Sequence, residues 1–276
     1  MTKVVSVYGY GRFGKLWADI LSEDFKVKVY SRRGLKAEEV SPGIEIATID
    51  SIFDCDAMFF SVAISSFEQV LIDSKNYFRK DTVYFDTCSV KVYPAKWMNE
   101  NIPDDSQIIA THPMFGPDSY YNATAAAPLP MAFCNVRSNK DVFKFWADYF
   151  SQKRMRIEIM SAEEHDKMVA YSQGITHFVG RVLADLQLQP TRIDTLGYGK
   201  LLEIIAQTCN DSWQLFIDLQ RFNPYTSDMR EDLQNSHEKM YAILNQIVNG
   251  NGKHSELSQE EWELRYKNKV LGSKEE

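Results

Sequence analysis

Along its first 160 residues the chain alternates short β-branched and aromatic runs with stretches whose apolar positions recur every three or four residues. Residues 4–8 (Val-Val-Ser-Val-Tyr) predict a buried strand, residues 12–21 a helix and residues 26–30 a second strand. Residues 57–62 and 82–86 predict two more strands, with a helical stretch near Phe67 to Phe78 between them. Residues 107–110, 131–134 and 156–159 complete the set. Strands alternating with helices predict an α/β fold with a mostly parallel, doubly wound sheet. After Met160 the pattern changes. Ser161-Ala162-Glu163-Glu164 has the form of a capping box, and predicts a long helix running towards Leu186. Only helical spacing follows, as far as about Asn249. Asn249-Gly250-Asn251-Gly252 is a break, and Ser258-Gln259-Glu260-Glu261 reads as a second capping box, with Trp262, Tyr266 and Val270 on one helix face. The expected division is therefore an α/β domain over residues 1–160 and an all-α domain over residues 161–276.

A chain of 276 residues suits two domains at about 150 residues each. Its 44% hydrophobic and 25% charged residues exclude disorder, collagen-like repeats and coiled coil as the main architecture. With 31 Lys+Arg against 38 Asp+Glu the net charge is −7. That balance disfavours nucleic acid, whose binders neutralise phosphates. No apolar stretch approaches the length of a membrane span, about 18 residues. The N-terminus does not read as a secretory signal. Cys55, Cys88, Cys134 and Cys209 form no CxxC pair and read as reduced thiols of a cytoplasmic protein. Composition thus narrows the partner to a small molecule.

Gly9-Tyr10-Gly11-Arg12-Phe13-Gly14 is a GxGxxG motif that closes the first strand and opens the first helix. In that context the glycines permit a tight turn, close approach to a pyrophosphate and close helix–sheet packing, while the helix N-terminus offers free N–H groups. These six residues, with Ser61 and Val62 at the end of a later strand, are the expected cofactor contacts of a Rossmann domain. The second strand ends in Ser31-Arg32-Arg33, where an NAD site carries a carboxylate for the ribose 2′-OH. A hydroxyl and two guanidinium groups suit a 2′-phosphate instead, so NADP is expected rather than NAD.

Two further stretches stand where such a sheet places its chemistry: Ser89-Val90-Lys91 and His112-Pro113-Met114-Phe115-Gly116-Pro117. Together with the GxGxxG motif, the chain resembles the prephenate/arogenate dehydrogenase family of tyrosine biosynthesis. The resemblance runs over roughly residues 3–245. Glu163-Glu164-His165-Asp166 and the segment from Ser172 to Arg181 are similar to the family's first long helix. Asn210-Asp211-Ser212-Trp213 and Arg221-Phe222-Asn223 are similar to the plant-type arogenate branch. The family's substrates are cyclohexadienols that lose a C4 hydride to the nicotinamide and a hydroxyl proton, then CO₂, leaving an aromatic phenol. A neutral imidazole suits that proton.

The resemblance assigns the proton to His112, with Ser89 orienting the imidazole or sharing the substrate hydroxyl. It implies substrate contacts for His177, for Gln173 one turn earlier, where many bacterial members carry a histidine, and for Asp211, whose carboxylate suits arogenate's ammonium. Residues 201–207 lack the arginines of bacterial prephenate enzymes, which leaves Lys91, Arg181 or a partner-chain residue as the cation for the substrate carboxylate. His165, 12 residues before His177 and thus a little over three turns away, reads as structural. His237 and His254 read as surface residues, and no histidine has the spacing of a metal site. The expected activity is NADP-dependent oxidative decarboxylation of arogenate by a homodimer formed through the helical domain. The alternatives are a prephenate dehydrogenase, another reductase of Rossmann-plus-helical build such as a β-hydroxyacid or imine reductase, and a non-catalytic NADP-binding regulator.

Overall fold

The computed structural model describes residues 3–122 and 127–248. The break at 249–252, His254, and the helix expected from Ser258 with Trp262, Tyr266 and Val270 lie outside the described residues. Eight strands form one sheet: β1 (Val4–Tyr8), β2 (Lys26–Tyr30), β3 (Glu45–Ile46), β4 (Ala57–Phe60), β5 (Val83–Asp86), β6 (Gln107–Pro113), β7 (Leu129–Arg137) and β8 (Met155–Ile159). Their spatial order is β3-β2-β1-β4-β5-β6-β7-β8. All neighbours pair in parallel except β6 and β7. The helices among them are α1 (Arg12–Ser22), α2 (Ile49–Ile52), α3 (Ile64–Asp73), α4 (Val92–Asn101), α5 (Pro117–Asn122) and α6 (Lys140–Gln152).

The sheet is buried on both faces, which is why its central strands read as continuous apolar runs rather than as alternations. In β4 all four residues are buried. Successive side chains still point to opposite sides. Phe59 joins Trp17, Phe85, Trp146 and Phe150 in one core cluster, with the Phe59 and Phe85 rings stacked at 4.3 Å. Met58 and Phe60 join Phe53, Tyr84 and Trp97 in the other.

Every expected strand is present. The helix expected near residues 67–78 lies earlier, over α3, and closes on Ser74, whose N–H reaches the Val70, Leu71 and Ile72 carbonyls. The two-residue β3 and four-residue α2 are too short to leave a periodic signal.

Beyond β8 every described element is helical. Ser161 caps α7 (Ala162–Val169), its Oγ accepting from the Glu164 N–H at 3.0 Å. The long helix expected there continues through a π turn (Ala170–Gly174) into α8 (Ile175–Asp185). Then come α9 (Leu196–Asn210), α10 (Trp213–Phe222) and α11 (Thr226–Val248). The chain divides into two compact units, residues 1–226 and 227–276. The first holds the sheet and α1 to α10. The described part of the second is the remainder of α11, where Gln234 donates to Glu238 at 2.8 Å. Among the described residues no helix is long and apolar enough to cross a membrane. The four cysteines are unpaired.

Candidate active site

The strand order reverses between β1 and β4, and a doubly wound sheet opens a ligand crevice at such a point. Gly9 follows β1 there with φ +106°, and a Cβ on it would stand 2.1 Å from the Ser61 carbonyl oxygen. A Cβ on Gly14 would stand 2.0 Å from the Gly9 carbonyl oxygen. Only glycine fits either position. Gly11 differs: a Cβ there would meet nothing within 4 Å, and no side chain caps the α1 N-terminus behind it. The first N–H groups of α1 thus face open space, a cradle that fits a dinucleotide pyrophosphate.

The neighbouring residues divide. Tyr10 is buried in the core, its hydroxyl accepting from the Ser41 N–H at 3.4 Å. Phe13 stacks on Trp17 at 5.5 Å. Both act by packing under the loop. Ser61 and Val62 press against Gly9, and Ser61 Oγ bonds Thr87 Oγ1 at 3.1 Å. After β2, Ser31 is half-buried and Arg32 exposed. Arg33 is tied to Glu39 at 2.7 Å.

The parallel pairing of β5 with β6 brings Asp86 beside Ala110 and so places the Ser89 and His112 stretches side by side. Asp86 is fully buried. Its carboxylate accepts the Thr111 N–H at 3.1 Å and the Cys88 N–H at 3.0 Å, and it pairs with the Lys91 ammonium. Lys91 also donates to the Thr111 carbonyl at 2.6 Å. The expectation that Lys91 contacts substrate is corrected here. Its side chain is 0% exposed and serves as a strut between the two strand ends, because a buried ammonium needs a counter-charge and acceptors.

His112 is buried on β6. Its Nδ1 lies 2.9 Å from His165 Nε2, and His165 Nδ1 lies 2.7 Å from Asp166 Oδ1. Asp166, fully buried, accepts the Lys91 N–H at 2.7 Å and the Val92 N–H at 2.9 Å. Its own carbonyl accepts from Asn223 at 2.8 Å. Two expectations change. The partner of the His112 ring is His165, not Ser89, which is half-buried and makes no hydrogen bond to it. His165, read from sequence as structural, touches the imidazole expected to move the proton. Burial pushes His112 well below the ordinary imidazole range, with His165 and the Lys91 charge adding to the effect. Burial also lowers His165, against the opposing pull of Asp166. The chain therefore presents a neutral, proton-accepting imidazole at a strand end.

A second group lies on the π turn, α8 and the end of α9. Gln173 Oε1, His177 Nδ1 and Arg181 Nε are buried without hydrogen-bond partners, and side chains spaced by four face one way along a helix. His177 Nε2 stands 3.7 Å from Asp211 Oδ2. Burial lowers its pKa while Asp211 opposes the shift. Arg181 donates to the Thr208 and Asp211 carbonyls at 3.1 and 2.8 Å and stacks near Trp213 at 5.5 Å. Buried polar atoms without partners cost free energy unless a ligand or water meets them. Of the two named cations, Arg181 is the one with donor capacity left beside them.

Sequence reasoning missed Asp118, on α5. Its carboxylate accepts from Arg12 of the glycine motif at 3.0 Å and from Asn210, the last residue of α9, at 2.9 Å. An acidic residue shortly after His112-Pro113 was the available signal. Among the described residues no cluster of His, Cys, Asp or Glu is arranged to hold a metal ion.

Residues 25–131 match the family model "Prephenate dehydrogenase, nucleotide-binding domain", and residues 182–256 match "TYRAAT1-like, C-terminal domain". Arogenate dehydrogenase 1, chloroplastic, of Arabidopsis thaliana is 32% identical over 254 residues, which cover 88% of this chain and 39% of that protein. Arogenate dehydrogenase 2, chloroplastic, of the same plant is 29% identical over 252 residues, covering 87% and 69%. The chain thus spans about two fifths of the first relative's length. Among solved structures, prephenate dehydrogenase from A. aeolicus in complex with hydroxyphenyl propionate and NAD+ superimposes with a TM-score of 0.71 at 16% identity, covering 97% of this chain and 98% of that one. This last likeness is one of fold.

Proposed function

Because the chain belongs to the prephenate/arogenate dehydrogenase family, we propose that it catalyses the NADP-dependent oxidative decarboxylation of arogenate to tyrosine. The observation that carries the proposal is His112: a buried, neutral imidazole at the C-terminal end of β6, bonded through Nδ1 and without a protein partner at Nε2 among the described residues. A bound oxidised nicotinamide supplies the hydride acceptor. The chain's own residues do the rest. Gly9, Gly11 and Gly14 admit the pyrophosphate to the α1 N-terminus, with Ser61 and Val62 walling the loop. His112 takes the hydroxyl proton as the C4 hydride leaves. The new C4 carbonyl draws the ring electrons, the bond to the C1 carboxylate breaks, and CO₂ departs. Ser89, beside His112 on the neighbouring strand end, is assigned to the substrate hydroxyl.

NADP is preferred because the residues that end β2, 31–33, include no carboxylate and Arg32 has no ion-pair partner among the described residues. Arg33, held by Glu39, contributes charge at longer range. Arogenate is preferred because Asp211 offers a part-exposed carboxylate beside His177, suited to an ammonium group. Gln173, His177 and Arg181 supply further substrate contacts. The work divides near residue 160, the sheet holding the nucleotide and the helices the substrate. The α8–α9 connection is assigned to the contact of a homodimer: Leu186, Ile193 and Leu196 there are 63%, 89% and 90% exposed. Unpaired cysteines suit the cytoplasm.

The test is turnover of arogenate and prephenate with NADP and with NAD, by wild type and by His112→Ala. The expected outcome is preference for arogenate and NADP, with kcat lower by about 10²–10⁴-fold in the variant. Better turnover of prephenate would reverse the substrate assignment. NADP binding without turnover of either substrate would make the chain a non-catalytic regulator.

A further inference from the structure

We propose that His165 and Asp166 are positioning residues that fix the tautomer of His112, leaving a lone pair on Nε2 for the substrate hydroxyl. The role in turnover rests on the dehydrogenase reading above. The proton arrangement does not, because it follows from the donors, the acceptors and the burial that keeps both rings neutral.

The argument starts at Asp166. Its carboxylate is buried and takes the N–H groups of Lys91 and Val92. A carboxylate offers acceptors only, so His165 Nδ1, at 2.7 Å, carries the hydrogen and donates it. A neutral His165 then has only a lone pair at Nε2. His112 Nδ1, 2.9 Å away, must carry a hydrogen and donate in turn. The remaining nitrogen of His112, Nε2, is left as an acceptor. One carboxylate thus dictates the position of both ring protons.

The groups facing this pair are Lys91, Asp86 and Asp166. Burial and the Lys91 charge keep a second proton off both rings. The β6–β7 ladder holds His112 opposite Ala132, and Asn223 fixes the Asp166 backbone. The ring geometry is therefore set from both sides of the contact.

In the reaction the substrate O–H bond breaks and an N–H bond forms at His112 Nε2. The oxygen's electron pair becomes the C4–O double bond as the hydride departs to the oxidised nicotinamide. The positive charge on His112 is stabilised through Nδ1–H to His165 and, behind it, by Asp166. Loss of CO₂ leaves its electron pair with the ring and so a phenolate at the C4 oxygen, and the proton on His112 Nε2 returns there to give the phenol and restore the free lone pair. The wrong tautomer would meet the hydroxyl with an N–H and could not take its proton.

The experiment is nitrogen NMR on the 276-residue chain carrying ¹⁵N-labelled histidine, at neutral pH. The His112 signals are identified by their loss in His112→Asn. The expected spectrum shows a protonated Nδ1 and an unprotonated Nε2 for both His112 and His165. In His165→Ala the His112 signals should shift towards a mixture of tautomers. There kcat should fall by about 10²–10³-fold, with KM within about threefold. Added imidazole should restore part of kcat. A protonated Nε2 on His112 in the wild type overturns the proposal. So does a His165→Ala protein that keeps the wild-type His112 signals and kcat. If His165→Ala does not fold, the wild-type spectrum alone decides. If the wild type turns over neither arogenate nor prephenate, the dehydrogenase reading fails, and the ring-nitrogen spectrum still decides the tautomer.

Discussion

Burial holds three histidines, His112, His165 and His177, below the ordinary imidazole range. An unfolded histidine titrates near about 6.5. Between that value and the lower folded value the unfolded chain binds more protons, so stability is present above about pH 6.5 and is lost as the pH falls below it. We expect the unfolding free energy, and Tm with it, to drop between about pH 7 and pH 5, with a limiting slope in free energy of about 1.4 kcal/mol per pH unit for each histidine. His177→Gln should shallow that slope. Thermal melts across the range check this, and a Tm that does not change would contradict neutral buried rings. The sequence made His112 visible through the His-Pro-Met stretch around it. It did not reveal the partner of His112, which is 53 residues away in the chain and meets it only once β6 and α7 are in place. Lys91 misled for a related reason. A lysine beside a serine reads as a ligand until the carboxylate five residues earlier is seen to claim it.

The strands were legible because a sheet buried on both faces imposes long apolar runs. The π turn was not, because one extra residue barely disturbs a helical pattern. It matters for register. An i→i+5 turn absorbs about one residue, so the 12 positions from His165 to His177 behave as about 11, close to three turns at 3.6 residues each. Plain α-helix would carry the two rings further apart around the axis. The antiparallel β7 was likewise hidden, since direction leaves no mark on composition. Where α8 crosses α9 the contact is tight: a Cβ on Gly180 would stand 2.2 Å from Thr208 Oγ1. We expect Gly180→Ala to cost about 1–3 kcal/mol through overpacking. Adding Thr208→Ala should recover most of it, because that hydroxyl donates only to the Ile204 and Ile205 carbonyls of its own helix, and the Arg181 guanidinium donates to the Thr208 backbone carbonyl, which the substitution keeps. Denaturant titration of the two variants measures the recovery. An equal loss in both would place the cause elsewhere.

At the scale of the molecule, a net charge of −7 says little about the two anionic ligands proposed above. In that proposal a few placed cations decide more: Arg32 after β2, Arg181 on α8, and Lys91 acting at a distance on His112. Association should be read from apolar exposure instead. We expect a dimer in solution, and a monomer when Ile193→Asp and Leu196→Asp are combined, since both side chains are almost fully exposed in the single chain and carboxylates are poorly tolerated in the core of an interface. Light scattering after size exclusion reads the mass, and a wild-type monomer would remove the assignment.

Asp166 does two things at once. Its oxygens take the first N–H groups of α4, whose own N-cap residue offers no side chain for the purpose, and the same carboxylate orients His165. If the proposed tautomer control holds, helix integrity and proton handling share one residue. A substitution there that loosens the imidazole pair also uncaps a helix packed against the core. Drift at this position meets selection for folding even while catalysis is idle, so a descendant that has abandoned the reaction has reason to keep the aspartate after His112 is gone.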